Sequence, residues 1–128
     1  MTRKSINVPG LEHGKNPTPA ACVLRNLLVT GAIFGRDRAT GKLAEGLEQQ
    51  CAHMFTNAAL ILEAAGASWH DVVKMTFFLR PGASREVINA QWVKVFPDAD
   101  SRPARHVLVS DTLPEGMLVQ CDVMAVLG

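Results

Sequence analysis

The sequence predicts an α+β fold in which two helices cover one face of a β-sheet. Two segments repeat apolar residues at spacings of three and four, which is the helical period, and shorter segments between them alternate as strands do. The chain has 128 residues, 48% apolar, and a net charge of +1, which excludes a disordered protein. This length suits one hydrophobic core and is too short for two domains, so we expect residues 1–128 to form a single domain.

The first third of the chain is predicted to hold short strands between turns. Residues 1–20 are irregular and punctuated by proline and glycine, so they contain at most a short edge strand over Ser5–Val8. Two strands joined by a two-residue turn follow, Ala21–Leu24 and Leu27–Phe34. Residues 35–46 are a turn-rich loop that lacks the first glycine and the Ser or Thr of a phosphate-binding loop.

The two helices are predicted from apolar periodicity and from their end signals. The first covers Glu45–Ala65, and Gly66 stands where a helix commonly ends in the left-handed conformation. A strand over Val72–Leu79 comes next. The second helix is predicted from Ser84, as its N-cap, to Pro97, which stops it.

The faces of the later strands indicate a sheet with helices on one side and a second subunit on the other. The chain continues with strands over Ala104–Ser110 and Met117–Leu127, and alternate residues of the last strand are all apolar. Strict alternation predicts that the helix-covered face also includes Val73, Met75, Phe77 and Leu79. The opposite face mixes apolar residues with Lys74, Thr76, Gln120 and Asp122, a composition typical of a subunit interface.

Composition and charge argue against several classes of function. The 13 basic residues are balanced by 12 acidic ones, and no basic stripe is visible, so a nucleic-acid partner is not expected. The longest nearly apolar stretch, Ala58–Ala67, is far shorter than the ~20 residues that cross a membrane. The N-terminus has no apolar core of a secretory signal, and the three cysteines lie far apart. We therefore expect a cytoplasmic protein with free thiols, no metal site and no cofactor.

Few residues stand out as carriers of chemistry. The histidines His13, His53 and His70 are predicted at the surface, and the cysteines fall mostly on apolar faces as small hydrophobes, with a catalytic thiol as the alternative. Arg105 follows Pro103-Ala104 at the start of a strand and is predicted to point to the mixed face. Its guanidinium either pairs with Asp122 of the neighbouring strand or binds the carboxylate of a ligand.

A dispersed set of motifs runs from Asn26 to Ala125. It comprises Asn26–Gly31, Thr40–Leu43, Gln50, Asn57, Ala64–Ser68, Asp71–Lys74, Asn89, Phe96-Pro97, Ser101–Arg105, Leu113-Pro114 and Met117–Val119. In this order and spacing, the sequence resembles the RidA/YjgF family of reactive-intermediate (enamine/imine) deaminases, also labelled endoribonuclease L-PSP. The resemblance implies a chorismate-mutase-like fold with a mixed sheet. It also implies a homotrimer around a central β-barrel, with ligand clefts between subunits.

The resemblance assigns roles to several residues. Arg105 matches the family arginine that binds the substrate carboxylate. Thr30 and Gly31 match a Ser-Gly pair that lines the cleft, and Asn89 matches a cleft-side asparagine. These matches favour the ligand-binding role of Arg105 over the ion pair and make a small carboxylate the expected ligand.

The sequence departs from the family pattern at three positions of the same expected site. Thr18 stands where a tyrosine is expected, Val107 where a cysteine is frequent, and Gln120 where a glutamate orients the attacking water. The first hypothesis is thus a deaminase that hydrolyses carboxylate-bearing imines or enamines to ammonia and keto acids, weakened by Gln120. The alternative is a non-catalytic protein that binds or senses a small carboxylate. A ribonuclease, which one family label implies, ranks last because no basic stripe is present.

Overall fold

The computed structural model describes residues 2–128, which form seven β-strands and two α-helices. The strands are β1 (Lys4–Ile6), β2 (Ala21–Leu24), β3 (Leu27–Thr30), β4 (Ile33–Phe34), β5 (Val72–Leu79), β6 (Ala104–Val109) and β7 (Val119–Val126). The helices are α1 (Leu47–Ala64) and α2 (Glu86–Val95). A short 3₁₀ turn, Trp69–Asp71, leads into β5 and is capped by the Ser68 side chain.

All seven strands belong to one mixed sheet. Its order is β1-β2-β3-β7-β5-β6, and β4 pairs with β7 just beyond the end of β3. Only β5 and β6 are parallel, with α2 as the connection between them, and the other neighbours are antiparallel. The predicted α+β fold with two helices and one sheet is confirmed.

One face of the sheet packs against both helices and holds the core. Residues 117, 119, 121, 123 and 125 are all buried, as the alternation of the last strand predicts. An aromatic cluster fills the space between sheet and helices at the α2 end, and its members contact one another at ring-centroid distances of 4.7 to 6.1 Å: Phe55, Trp69, Phe77, Trp92 and Phe96. This cluster fixes the position of α2 against the sheet.

The predicted faces of β5 are wrong at its first two residues. Val72 is buried and Val73 is exposed, the reverse of strict alternation. A register shift in the pairing with β7 lies between Val72 and Lys74, so one extra residue is accommodated there as a bulge. From Met75 onward the alternation is regular, and Met75, Phe77 and Leu79 are buried as predicted.

The predicted strand Leu27–Phe34 is interrupted and forms β3 and β4. The Thr30 hydroxyl accepts the backbone N–H of Val123 at 2.9 Å and donates to the carbonyl of Gly31 at 2.8 Å. The Thr30 side chain thus accepts a hydrogen bond from β7 in place of a backbone carbonyl, at the point where β3 stops pairing with β7. The Gly31 N–H bonds instead to the carbonyl of Ala20, on the segment that leads into β2.

Two buried amides attach α1 to the strands and loops beside it. Gln50 donates to the carbonyls of Ala44 and Gly116 and accepts the N–H of Leu118, while Asn57 donates to the carbonyls of Phe34 and Arg36. Gly35 lies so close to α1 that a Cβ there would be 2.4 Å or less from backbone atoms of Gln50. These contacts fix β4, and with it the start of β7, against the helix.

The helix ends agree with the sequence signals to within two residues. Gly66 adopts φ +77°, and the N–H groups of Gly66 and Ala67 bond back to Glu63 and Leu62, which closes α1 as predicted. The helix α2 begins at Glu86, later than predicted, and the Ser84 hydroxyl accepts the N–H of Glu86.

Candidate active site

Arg105 lies on the helix side of the sheet, so its predicted position on the mixed face is wrong. It pairs with Met75 in the parallel ladder between β6 and β5, and Met75 pairs with Val123 of β7. Residues paired in this way point to the same face, and both Met75 and Val123 are buried under the helices. Because β6 is an edge strand of the sheet, the Arg105 side chain lies at the border of the core and is half-buried there.

The alternative considered for Arg105, an ion pair with Asp122 of the same chain, is excluded by the same register. Asp122 pairs with Thr76, which pairs with His106, so these side chains share the opposite face of the sheet. Burial raises the pKa of Asp122, while the Lys74 charge and a hydrogen bond from Thr76 act in the other direction. Asp122 therefore has its polar partners, Lys74 and Thr76, on β5. It does not neutralise the charge of Arg105 within the same chain.

The Arg105 guanidinium contacts the helix α2 through an aromatic ring. Its central carbon lies over the indole of Trp92, 5.1 Å from the ring centroid. Arg85, Asn89 and Trp92 recur at spacings of four and three, and therefore lie on one side of the helix. Burial and then the charge of Arg85 lower the pKa of Arg105, and Glu86 opposes this. Asn89 donates to the Glu86 carboxylate at 3.4 Å, and it lies one turn of α2 before Trp92.

A second group of expected site residues gathers at the junction of β3 and β4. Gly31 packs against the segment containing Thr18, because a Cβ on Gly31 would meet the carbonyls of Pro19 and Ala20 at 3.7 and 3.8 Å. The Nε2 atom of His13 is also 3.7 Å from this position. Thr18 is exposed, whereas the Thr30 hydroxyl is occupied by its bonds to Val123 and Gly31. Exposed backbone and loop atoms, and not the Thr30 hydroxyl, are available to a ligand here.

Gln120 and Val107 lie on different sides of the sheet. Gln120 pairs with Phe34 of β4 and with Phe78 of β5, and its side chain is half-buried on the face away from the helices. Val107 pairs with Phe77, and its half-buried side chain packs against the core on the same side as Arg105. Arg105 and Gln120 are thus on opposite faces and separated by β5. They cannot contact the same small molecule within one chain.

The remaining candidates from the sequence do not form a reactive centre. Cys51 and Cys121 are buried, and burial raises the pKa of Cys51 to about 12 and that of Cys121 well above its ordinary value. A thiol of this kind stays protonated and is a poor nucleophile. His70 is exposed and His53 half-buried. Within residues 2–128, no three His, Cys, Asp or Glu side chains gather as metal ligands, and no helix is long and apolar enough to span a membrane.

Sequence reasoning missed Trp92 as the neighbour of Arg105, because it assigned this residue to the core alone. The signal was the spacing of Arg85, Asn89 and Trp92, which places a cation and an amide on the side of α2 that also carries the indole. The register between β5 and β6, which brings this helix face to Arg105, depends on tertiary pairing and has no local signal.

Comparison with known proteins agrees with this architecture. The model of the family described as endoribonuclease L-PSP matches residues 16–127, which is most of the chain. The chain belongs to this family. A RutC family protein of Synechocystis is 32% identical over 129 residues, which cover 99% of this chain and 98% of the relative. The resemblance to the RidA/YjgF family is thereby confirmed.

Two further members carry more specific names. A Bos taurus protein named 2-iminobutanoate/2-iminopropanoate deaminase is 32% identical and covers 100% of this chain and 93% of its own length. The crystal structure of RidA from a Psychrobacter species is 27% identical and superimposes with a TM-score of 0.87, covering 97% of this chain and 99% of that one. This L-PSP family chain therefore shares its whole fold with proteins of that family.

Proposed function

We propose that this protein is a hydrolytic deaminase of small 2-imino acids and their enamine tautomers. The observation that carries the proposal is Arg105, a half-buried guanidinium at the sheet edge. The alternative internal partner, Asp122, lies on the other face. Such a group is suited to bind a carboxylate through two parallel hydrogen bonds. The names of the relatives that act on 2-iminobutanoate and 2-iminopropanoate support a substrate with a carboxylate beside the C=N bond.

The reaction needs a bound substrate and one positioned water. The water oxygen bonds to the imine carbon, the C–N bond breaks, and the nitrogen leaves as ammonia with the protons of the water, so that a keto acid remains. Arg105 would hold the carboxylate, the backbone at Gly31 and Val107 would shape the pocket, and the Gln120 amide would hold the water. Imines hydrolyse readily, so positioning supplies much of the acceleration, and no cofactor is required.

The separation of these residues within one chain supports a site built between subunits. Arg105 lies on β6 at the edge of the sheet, whereas Gly31 and Gln120 lie beyond β5 toward β3 and β4. In a closed ring, the β6 edge of one copy can meet the β3–β4 end of the next. We propose a homotrimer of this kind, in which the faces without helices pack around the three-fold axis.

Exposed apolar side chains on that face support the same assembly. Leu27 pairs with Val126 and Val29 pairs with Met124, and all four are exposed in the single chain. A contiguous apolar patch of this kind is typical of an interface between proteins.

The trimer predicts a molar mass of three times the 13.8 kDa of the chain in light scattering. Met124→Glu places a charge in the proposed interface and should lower the measured mass, because a buried unpaired carboxylate is strongly unfavourable. Ala64→Glu, on the exposed side of α1, adds the same charge away from the interface and should leave the mass unchanged. A monodisperse wild-type monomer would contradict both the trimer and the cleft between subunits.

The activity is tested with an imine generated in solution. An amino-acid oxidase produces 2-iminobutyrate, and semicarbazide reacts faster with this imine than with the 2-oxobutyrate formed by hydrolysis. We expect the wild-type protein to lower the initial rate of semicarbazone formation and to speed the release of ammonia, and Arg105→Ala to abolish both effects. Binding of 2-oxobutyrate without any acceleration would instead favour the carboxylate-binding protein. If neither binding nor acceleration is observed, the proposal is wrong.

A further inference from the structure

Arg105 lies against an aromatic ring that is itself held in place. The guanidinium carbon is 5.1 Å from the Trp92 ring centroid, and only 7% of Trp92 is exposed. The ring of Phe96 contacts this indole at 4.7 Å between centroids, and that of Phe77 at 6.1 Å. Because both rings belong to the core cluster, the indole presents a fixed face to the guanidinium.

We infer that Trp92 is a positioning residue that orients the Arg105 guanidinium for a substrate carboxylate, an inference that rests on the proposed function. Attraction to an aromatic face uses the charge of the guanidinium and leaves its N–H donors free. An acidic partner would occupy the same donors that a substrate needs. The indole therefore restricts the movement of the arginine without competing with the ligand.

The charges around Arg105 explain why such support is needed. Arg85 is on the same side of α2 and repels the Arg105 guanidinium, and Glu86 attracts it from the same turn. Both are exposed, so solvent weakens their effect, and neither fixes the orientation of the side chain. The contact with Trp92 is short-ranged and depends on the position of the charge over the ring face.

Substitutions at Trp92 and at a matched tryptophan test the inference. Trp92→Leu keeps apolar volume and removes the ring, so we expect the Kd of 2-oxobutyrate to rise about tenfold. Trp92→Phe keeps a weaker aromatic face and should raise the Kd only about threefold. Trp69→Leu removes a ring from the same cluster that contacts Phe55 and Phe96, and it should raise the Kd less than Trp92→Leu does. A merely structural role predicts similar effects of Trp92→Leu and Trp69→Leu.

Kinetics separate positioning from chemistry. The substrate carboxylate keeps its charge throughout the reaction, so its contact with Arg105 contributes about equally to substrate and transition-state binding. We therefore expect Trp92→Phe to raise KM for 2-iminobutyrate with little change in kcat. A fall in kcat at unchanged KM would overturn the positioning role.

Fluorescence provides a test that leaves Trp92 in place, should Trp92→Leu fail to fold. The chain has two tryptophans, so Trp69→Phe leaves Trp92 as the single emitter. Saturation with 2-oxobutyrate should change this emission, and Arg105→Ala in the same background should remove the change. Constant emission at saturation, or wild-type affinity in both Trp92 variants, overturns the inference alone. Wild-type affinity in Arg105→Ala overturns the proposed function with it.

Discussion

Replacing Arg105 with alanine should weaken the binding of 2-oxobutyrate about a hundredfold or more and leave the protein folded. The physical reason for the loss is that a guanidinium–carboxylate pair in a partly desolvated site combines charge with two hydrogen bonds. The reason for the intact fold is position, because Arg105 is half-buried at the terminal strand of the sheet and lies outside the buried core. Isothermal titration calorimetry measures the affinity, and circular dichroism with light scattering measures fold and assembly.

Two controls separate a specific contact from a change of net charge. Arg3→Ala removes the same charge from an exposed position near the N-terminus and should bind 2-oxobutyrate as the wild type does. Arg105→Lys keeps the charge but loses the planar donor pair, so its affinity should fall between those of wild type and Arg105→Ala. Loss of the fold or of the proposed trimer in Arg105→Ala would show that this arginine is structural, and an unchanged affinity would remove it from the site.

Most of the fold could be predicted because its signals are local. The helix α1 has apolar periodicity, an end signal at Gly66 and a length greater than that of any strand in the sheet. The buried face of β7 follows from simple alternation of apolar residues. Alternation fails where the chain is irregular. A bulge places Val72 on the buried face and Val73 on the exposed face, the reverse of the predicted faces. A break at Gly31 divides the predicted strand into β3 and β4. Both irregularities depend on pairing with β7.

The candidate site was harder to predict because its geometry is tertiary. The β6 sequence alternates too weakly to reveal which face Arg105 takes, and only the register with Met75 of β5 places it under α2. The motif residues Gln50 and Asn57 also show that similarity to a family does not imply catalysis. Their amides are buried and bonded to backbone groups, so their role in this chain is to hold β4 and the start of β7 against α1.

Replacing Gln120 with glutamate should raise kcat for 2-iminobutyrate by at least about tenfold, a change in barrier of about 1.4 kcal/mol. An amide can accept a hydrogen bond from the attacking water but cannot take its proton as the oxygen bonds to carbon, whereas a carboxylate can do both. A positioned general base contributes about 10²- to 10⁴-fold, so the native chain is expected to be a weak deaminase. The half-buried position of Gln120 between Phe34 and Phe78 limits competing water around the new carboxylate.

The variant must be compared with one that adds the same charge elsewhere. Gln49→Glu, exposed on α1, should leave kcat unchanged, so that any gain in Gln120→Glu belongs to the site. The affinity for 2-oxobutyrate is measured in parallel, because in the proposed trimer the introduced carboxylate can pair with Arg105 of a neighbouring copy and occupy the proposed cleft. That outcome would appear as a raised KM and a raised Kd.

Two results would contradict this account of Gln120. The first is a wild-type protein that hydrolyses 2-iminobutyrate as fast as a relative with glutamate at this position, because the amide would then be no handicap. The second is an unchanged low rate in Gln120→Glu with the affinity for 2-oxobutyrate preserved. In that case the water is activated elsewhere or the cleft only binds its ligand, and the substrate of this protein would have to be sought among other small carboxylates that Arg105 can hold.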